Sequence, residues 1–517
     1  MKKIIYSNIF DNNTKFIVDH LKKSLNWEPA FFLGDRDIEK FIKSFPTQTM
    51  YAHSPSLRSG IFDYSKIKKK IPIDSKIIQN LSKFESNYLS NLRDTSGWNF
   101  SFHERRRYYY DILTYWNSVI NQVKPDIFVS YDIPHLECSY SLYLLCKYHY
   151  SIPVLFLDDY PHFSNRYIIN YSIEDTSVPF KDYHLEKVTK ISDDVKKYLG
   201  EFKTLPEDMN YLRVYLDLIR RNKKIINVIK QYIKVIANII VITIKGKYSK
   251  VKPLSGFKKN RNPVENSQMS TLEAFFFMRK LKRKGNKTLK YYERISSRVG
   301  DKENYIFFAP QFQPEVYSNL RVGIYEDYFL VLDILSKTLP EDWHIYYKEH
   351  PMQLIDQYGP LLRDKKFYEK IKSYRNVKII SLKENKLNLI KKSKAVVTSG
   401  GTIGWESLTL NKPIMLFGDG WYKSCKSVFN IETLNDATEA IKKIKDGFIP
   451  DQNEFEKFAN YIYLKSHKNL LSIAEYRNFK LSLNRKALTE FDEKNLKKEF
   501  YRVGQAFEEA YKMHYEK

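Results

Sequence analysis

The sequence predicts an α/β protein of two Rossmann-like lobes, with a helical, strongly basic insert between them and a long C-terminal helix. Three observations carry that expectation. Residues 1–190 and 301–480 alternate short β-branched or aromatic apolar runs with amphipathic stretches at helical spacing. Residues 191–300 break the alternation and hold most of the excess charge. From Arg220 to Arg294 there are 21 Lys and Arg against three acids, which is +18 of a net +26. The third observation is Val396–Tyr422, which reads as strand, glycine turn, helix and strand, a βαβ unit.

At 517 residues the chain has room for two or three cores. Met1–Asn8 lacks the uninterrupted apolar core of a signal peptide and reads as a first strand. Helical spacing follows at 15–25, 37–45, 76–92 and 105–123, with a strand at 30–33. Lys124-Pro125 stops the last of these helices before a buried strand through Ile127–Val129. A loop runs from Asp132 to Glu137, a helix from Ser139 to Tyr148, and a strand from Ile152 to Leu157 that ends in Asp158-Asp159. Ligands of doubly wound sheets sit outside the carboxyl ends of the strands. Asp132, His135, Glu137, Asp158 and Asp159 all fall there; loop polarity and helix capping are the competing explanation.

Cys138, Cys146 and Cys425 form no CxxC pair and no even framework, so reduced thiols in a cytosolic setting are expected. No spacing suits a metal.

In the insert, Lys223–Lys247 is the most amphipathic stretch of the chain. Lys223, Lys230 and Lys234 share a stripe opposite Ile225, Ile229, Ile233 and Ile236. The apolar run Val235–Ile244 is about half of the roughly 20 residues a membrane span needs. With the basic loop Lys250–Arg261, the segment 223–261 suits an anionic membrane surface; a core helix with solvated lysines is the alternative. Because the charge is confined to one segment, no nucleic-acid partner is expected.

The second lobe opens with a strand at Tyr305–Phe308, a loop at 309–315 and a helix at 325–339. A strand from His344 ends in Lys348-Glu349-His350-Pro351. After a strand at 377–380 and a helix at 387–392 comes the strand Ala395–Val397, the turn Thr398-Ser399-Gly400-Gly401-Thr402, a helix to Leu410, and the strand Pro413–Phe417. The tail 490–515 reads as one charged helix. Free backbone N–H groups at Gly400–Thr402, with the helix dipole behind them, make a ready anion site. The glycines let a ligand phosphate approach the backbone; a tight turn capped by hydroxyls is the plainer account. Lys348, His350 and Ser399–Thr402 are placed to converge on a phosphate. Glu406, one turn into the helix, suits a ribose hydroxyl pair.

Gln313-Pro314-Glu315, then Leu339-Pro340 leading to Lys348-Glu349-His350-Pro351-Met352-Gln353, then Ser399–Tyr422, in that order and spacing, resemble bacterial capsular and surface polysaccharide biosynthesis proteins. That group is similar to capsule Kdo transferases and, more distantly, to sialyltransferases with a His-Pro motif. Pro134-His135 and Leu142–Lys147 resemble its N-terminal half. The resemblance implies a GT-B fold and a glycosyltransferase peripheral on the cytoplasmic face of the plasma membrane; because no DxD-type metal signature stands out in the sequence, catalysis with neither metal nor cofactor is expected. It implies a nucleotide-sugar donor, with a CMP-activated ulosonic acid as one case, and a glycan or glycolipid acceptor. Gln313, Glu315, Lys348, His350, Ser399, Gly400, Gly401, Thr402 and Glu406 would hold the donor. His135 and Glu137 would be catalytic, although the family's Pro-His-Glu is here Pro-His-Leu-Glu.

Two other readings share this fold. A UDP-sugar 2-epimerase also places a Ser-Gly-Gly turn before a helix carrying a Glu, and a non-catalytic capsule assembly or export protein would keep the lobes without the chemistry.

Overall fold

In a computed structural model of the chain, residues 1–9, 14–34, 38–95, 101–160, 166–180, 190–204, 271–300, 302–313, 315, 319–355, 359–468 and 493–516 are described. Two sheets organise them. The first lobe holds β1 (Lys2–Ser7), β2 (Trp27–Gly34), β3 (Met50–His53), β4 (Ile127–Ser130), β5 (Val154–Tyr160), β6 (Arg166–Asn170) and β13 (His467–Lys468). Their order is β13-β6-β5-β4-β1-β2-β3; β1 to β5 run parallel, and β6 and β13 are antiparallel. The second lobe holds β7 (Asn304–Phe308), β8 (Trp343–Tyr347), β9 (Val377–Ile379), β10 (Ala395–Thr398), β11 (Ile414–Leu416) and β12 (Val428–Asn430), all parallel, in the order β12-β11-β10-β7-β8-β9.

Each sheet starts from a central strand and winds first to one side, then to the other. The winding reverses between β1 and β4 in one lobe and between β7 and β10 in the other. At such a switch point the two following loops diverge and leave a crevice at the strands' carboxyl ends. The central strands are buried on both faces, as Ile4 to Tyr6, Ile306 to Phe308 and Ala395 to Val397 show. That is why they read as unbroken apolar runs.

The lobes exchange segments, so divisions at 190, 300 and 480 describe the sequence better than the packing. Phe180, from the first lobe, and Val195 and Leu199, from the start of the insert, join the core of the second sheet with Trp405, Phe455 and Phe458. The C-terminal helix Glu493–Tyr515 returns to the first lobe, where Phe500, Val503, Phe507 and Tyr511 pack with Ile17, Leu21 and Trp27. The helix Thr271–Ile295, the end of the basic insert, buries Leu281 and Tyr292 against the second lobe.

The first lobe meets the second through the segment after β7. Asn87 Nδ2 donates to the carbonyls of Asn319 (2.7 Å) and Gly323 (3.3 Å), and Ser90 Oγ donates to Glu326 (2.8 Å). The segment 223–261 lies outside the described residues. Among those described, no helix is long and apolar enough to cross a membrane.

Candidate functional site

The site is built at the switch point of the second lobe. β10 delivers the turn, and Gly400 and Gly401 take φ of +150° and +74° before the helix Thr402–Thr409 begins. The Gly401 conformation strongly favours glycine. A Cβ on Gly400 would stand 2.6 Å from the carbonyl of Asp419 and 2.8 Å from Gln311 Nε2, so backbone and side chain both press on the turn. Ser399 is fully buried, and its Oγ has no partner among the described residues.

Neighbouring β8 ends in Lys348, Glu349 and His350. Pro351 starts a single 3-10 turn, where its missing N–H costs nothing. His350 caps that turn: its Nδ1 accepts the N–H of Met352 at 3.2 Å. A ring whose Nδ1 accepts carries its proton on Nε2. Burial pushes the imidazole pKa down to about 4, against the pull of Glu349; the cations of Lys386 and Lys348 push the same way. The ring is therefore neutral near pH 7 and a hydrogen-bond donor through Nε2.

Lys386 joins this site from the start of the helix Lys386–Lys392. Its Nζ lies 2.6 Å from Glu406 Oε2, and Glu406 also accepts from Thr402 Oγ1 at 3.2 Å. Lys386, Glu406 and Thr402 thus form one chain of contacts, and the cations of Lys386 and Lys348 act on the imidazole electrostatically. Lys348 Nζ donates to the carbonyl of Glu384 at 2.6 Å.

Gln313 sits one layer back. Its backbone N–H meets Gln353 Oε1, its Nε2 the carbonyl of Glu326, and its Oε1 the guanidinium of Arg363. Arg363 in turn pairs with Glu349 at 2.8 Å, and Glu349 also accepts from the hydroxyls of Tyr347 and Tyr368. Burial opposes the charge on Arg363, but Glu349 and the surrounding tyrosines hold it protonated. This buried network fixes the loops after β7 and β8, so Gln313 orients the site. Glu315 lies on the same loop and is exposed.

In the first lobe the candidates separate. Glu137 opens the helix Glu137–Leu144, is 1% exposed, and pairs with Arg58 at 2.8 Å. Its charge is what holds the Arg58 guanidinium protonated above its usual range. A carboxylate committed to such a pair is a poor proton acceptor. His135 is half-buried on the loop before that helix, and its Nδ1 lies 2.9 Å from the carbonyl of Ile133. Asp132 accepts the N–H of Ile133. Asp158 pairs with Arg321 of the second lobe at 2.8 Å; burial raises its pKa and Arg321 only partly offsets that. Asp159 is half-buried at the end of β5.

Gln311, Arg321, Lys386 and Asp419 belong to this region and escape a reading by motif. Arg321 and Lys386 belong to no recognisable motif and give no signal before their partners are known. Asp419, set between Gly418 and Gly420 just past β11, does give one. Among the described residues no group of three or more His, Cys, Asp or Glu is placed to hold a metal ion.

The family match falls mainly on the same lobe. Residues 254–450 match the family "Capsule polysaccharide biosynthesis protein". No curated protein matches the chain. Among solved structures, a UDP-GlcNAc 2-epimerase from Neisseria meningitidis aligns over 90% of this chain and 99% of its own, with 11% identity and a TM-score of 0.23. The KpsC beta Kdo 2,4 transferase of Thermosulfurimonas dismutans aligns over 65% of this chain and 79% of its own, with 11% identity and a TM-score of 0.27. A glycosyltransferase from Rickettsia africae covers 94% of this chain and 98% of its own, with 11% identity and a TM-score of 0.24.

Proposed function

We propose that the chain, which matches the capsule polysaccharide biosynthesis proteins over residues 254–450, is a glycosyltransferase whose second lobe holds a nucleotide-sugar donor by its phosphate. The observation that carries this reading is the neutral His350. Its Nε2–H, the cations of Lys348 and Lys386, and the backbone of Gly400–Thr402 would supply hydrogen-bond donors and positive charge to a phosphate. Glycosyl transfer develops negative charge on the leaving nucleotide phosphate, and donors fixed before the reaction stabilise it without reorganisation. Glu406, held by Lys386 and Thr402, suits a ribose hydroxyl pair. Gln313 and Glu349 keep the loops in position. Glycan or glycolipid acceptors would enter from the first lobe, past His135 and Asp132.

The protein would work at the inner face of the plasma membrane. The helix Thr271–Ile295 supports this: Arg279, Lys280, Arg283, Lys284 and Lys287 line a cavity of 490 Å³ with Asp364 as its one acid. Such a basic face favours an anionic surface, at about 1 kcal/mol per cation near the membrane.

The test is a screen of CMP-, UDP-, GDP- and CDP-activated sugars with a capsular acceptor, scored by nucleotide release. Acceptor-dependent release supports the transferase. Epimerised sugar with no acceptor present would favour the epimerase instead.

A further inference from the structure

We propose that Asp419 takes up the acceptor's proton, seated beside Thr176, Gln311 and Ser399 where the two lobes meet. The inference rests on the glycosyl-transfer reading above. Asp419 lies just past β11, and its Oδ2 receives the backbone N–H of Thr176, from the first lobe, at 2.9 Å. Its Oδ1 is buried with no close hydrogen-bond partner among the described residues, and the same holds for Gln311 Oε1, Ser399 Oγ and Thr176 Oγ1, the last near enough to the Asp419 carboxyl to lower its pKa. All four residues are at least nine-tenths buried.

The four are held together around the glycine turn. The Asp419 carbonyl and Gln311 Nε2 lie 2.6 and 2.8 Å from where a Cβ on Gly400 would stand, and the Ser399 carbonyl lies 2.2 Å from that position on Gly418. Buried polar atoms left without partners are uncommon and ask for an explanation. Here four come from four different loops and from both lobes. Two of them, the carboxylate and the amide oxygen, accept only; the two hydroxyls donate or accept. A ligand bearing several hydroxyl groups satisfies the whole set, whereas an apolar or aromatic ligand satisfies none of it.

In the reaction the acceptor's hydroxyl oxygen forms a bond to the anomeric carbon. The bond from that carbon to the phosphate oxygen breaks, and its electron pair leaves with the nucleotide phosphate. The hydroxyl proton passes to Asp419 Oδ1. Burial raises the Asp419 pKa to about 6, with the Thr176 contact and the cations of Arg321 and Lys423 pulling the other way. The Tyr422 hydroxyl, also near, stays protonated, and Asp158 faces Arg321 from the far side. Asp419 is thus ionised at neutral pH, with a basicity matched to proton transfer there.

The test is nucleotide release by the full chain, with its preferred donor and acceptor, as a function of pH. For the wild type, kcat/KM should rise as pH increases through about 6, as Asp419 ionises. Asp419→Asn should lower turnover by about 10² to 10⁴, lose that limb, and keep the nucleotide affinity. Asp419→Glu, which restores a carboxylate, should recover part of the rate with a displaced limb. If Asp419→Asn keeps both rate and limb, the inference fails while the transferase reading stands. If it lowers Tm or rate but leaves the limb in place, Asp419 is only an interlobe strut and the inference fails. If the wild type releases no nucleotide from any donor, both fall.

Discussion

Arg321 of the second lobe reaches Asp158 of the first at 2.8 Å, with side chains only 3% and 2% exposed. The pair ties the carboxyl end of β5 to the loop after β7. Breaking one side of such a pair leaves an uncompensated buried charge, which costs roughly 3–5 kcal/mol. Arg321→Met should therefore lower the denaturation midpoint strongly. Arg321→Met with Asp158→Asn should recover much of the loss, because no charge is left alone. A single variant as stable as the wild type would show that the lobes do not meet there.

Glu137 and His135 are expected to differ in kind. Glu137→Gln should weaken the pairing with Arg58 and lower stability, with turnover changed only as far as folding is. His135→Ala should leave stability nearly unchanged, and any loss should appear in turnover. Unfolding midpoints and kcat, measured on both variants, separate the two. A large fall in kcat with an unchanged midpoint in Glu137→Gln would return Glu137 to the chemistry.

His350 sets a pH dependence. Its pKa is about 4 in the folded protein and roughly 6.5 in an unfolded chain. Between those values the unfolded chain binds more protons, so the stability linked to this group is present above about 6.5 and is lost as pH falls toward about 4. His350→Gln should flatten the fall in unfolding free energy across that window. An unchanged slope would mean that the imidazole is not held neutral.

Much of this was legible in the chain. The central strands announced themselves because both faces are buried, and the two glycines of Thr398–Thr402 marked a turn that side chains would block. The strand β3, with its single buried alanine, and the three-residue β12 gave no comparable pattern. Glu137 looked free at a strand end because its partner, Arg58, is 79 residues away. Arg321 and Lys386 acquire meaning only from partners brought together by the winding of the sheets. Gln313 was assigned to the donor, yet its amide is engaged with Arg363 and Glu326. Spacing along a sequence does not distinguish a residue that touches a ligand from one that holds its neighbour.

The basic face gives a salt-dependent outcome. The protein should sediment with vesicles of anionic lipid at low salt and be partly released at high salt, because the attraction is screened over about 8–10 Å. Replacing Arg279, Lys280, Arg283 and Lys287 with Gln should weaken that retention. Retention equal on neutral and anionic vesicles would contradict an electrostatic surface.

The central claim is that His350 and the Gly400–Thr402 turn hold the donor's phosphate, and nucleotide binding by calorimetry tests it most directly. A hydrogen bond to a charged partner contributes roughly 1.5–3 kcal/mol, so His350→Ala should weaken nucleotide binding about tenfold to a hundredfold while the protein stays folded. Lys386→Met should weaken it in the same direction. Unchanged affinity in both folded variants would contradict the account and place the donor elsewhere.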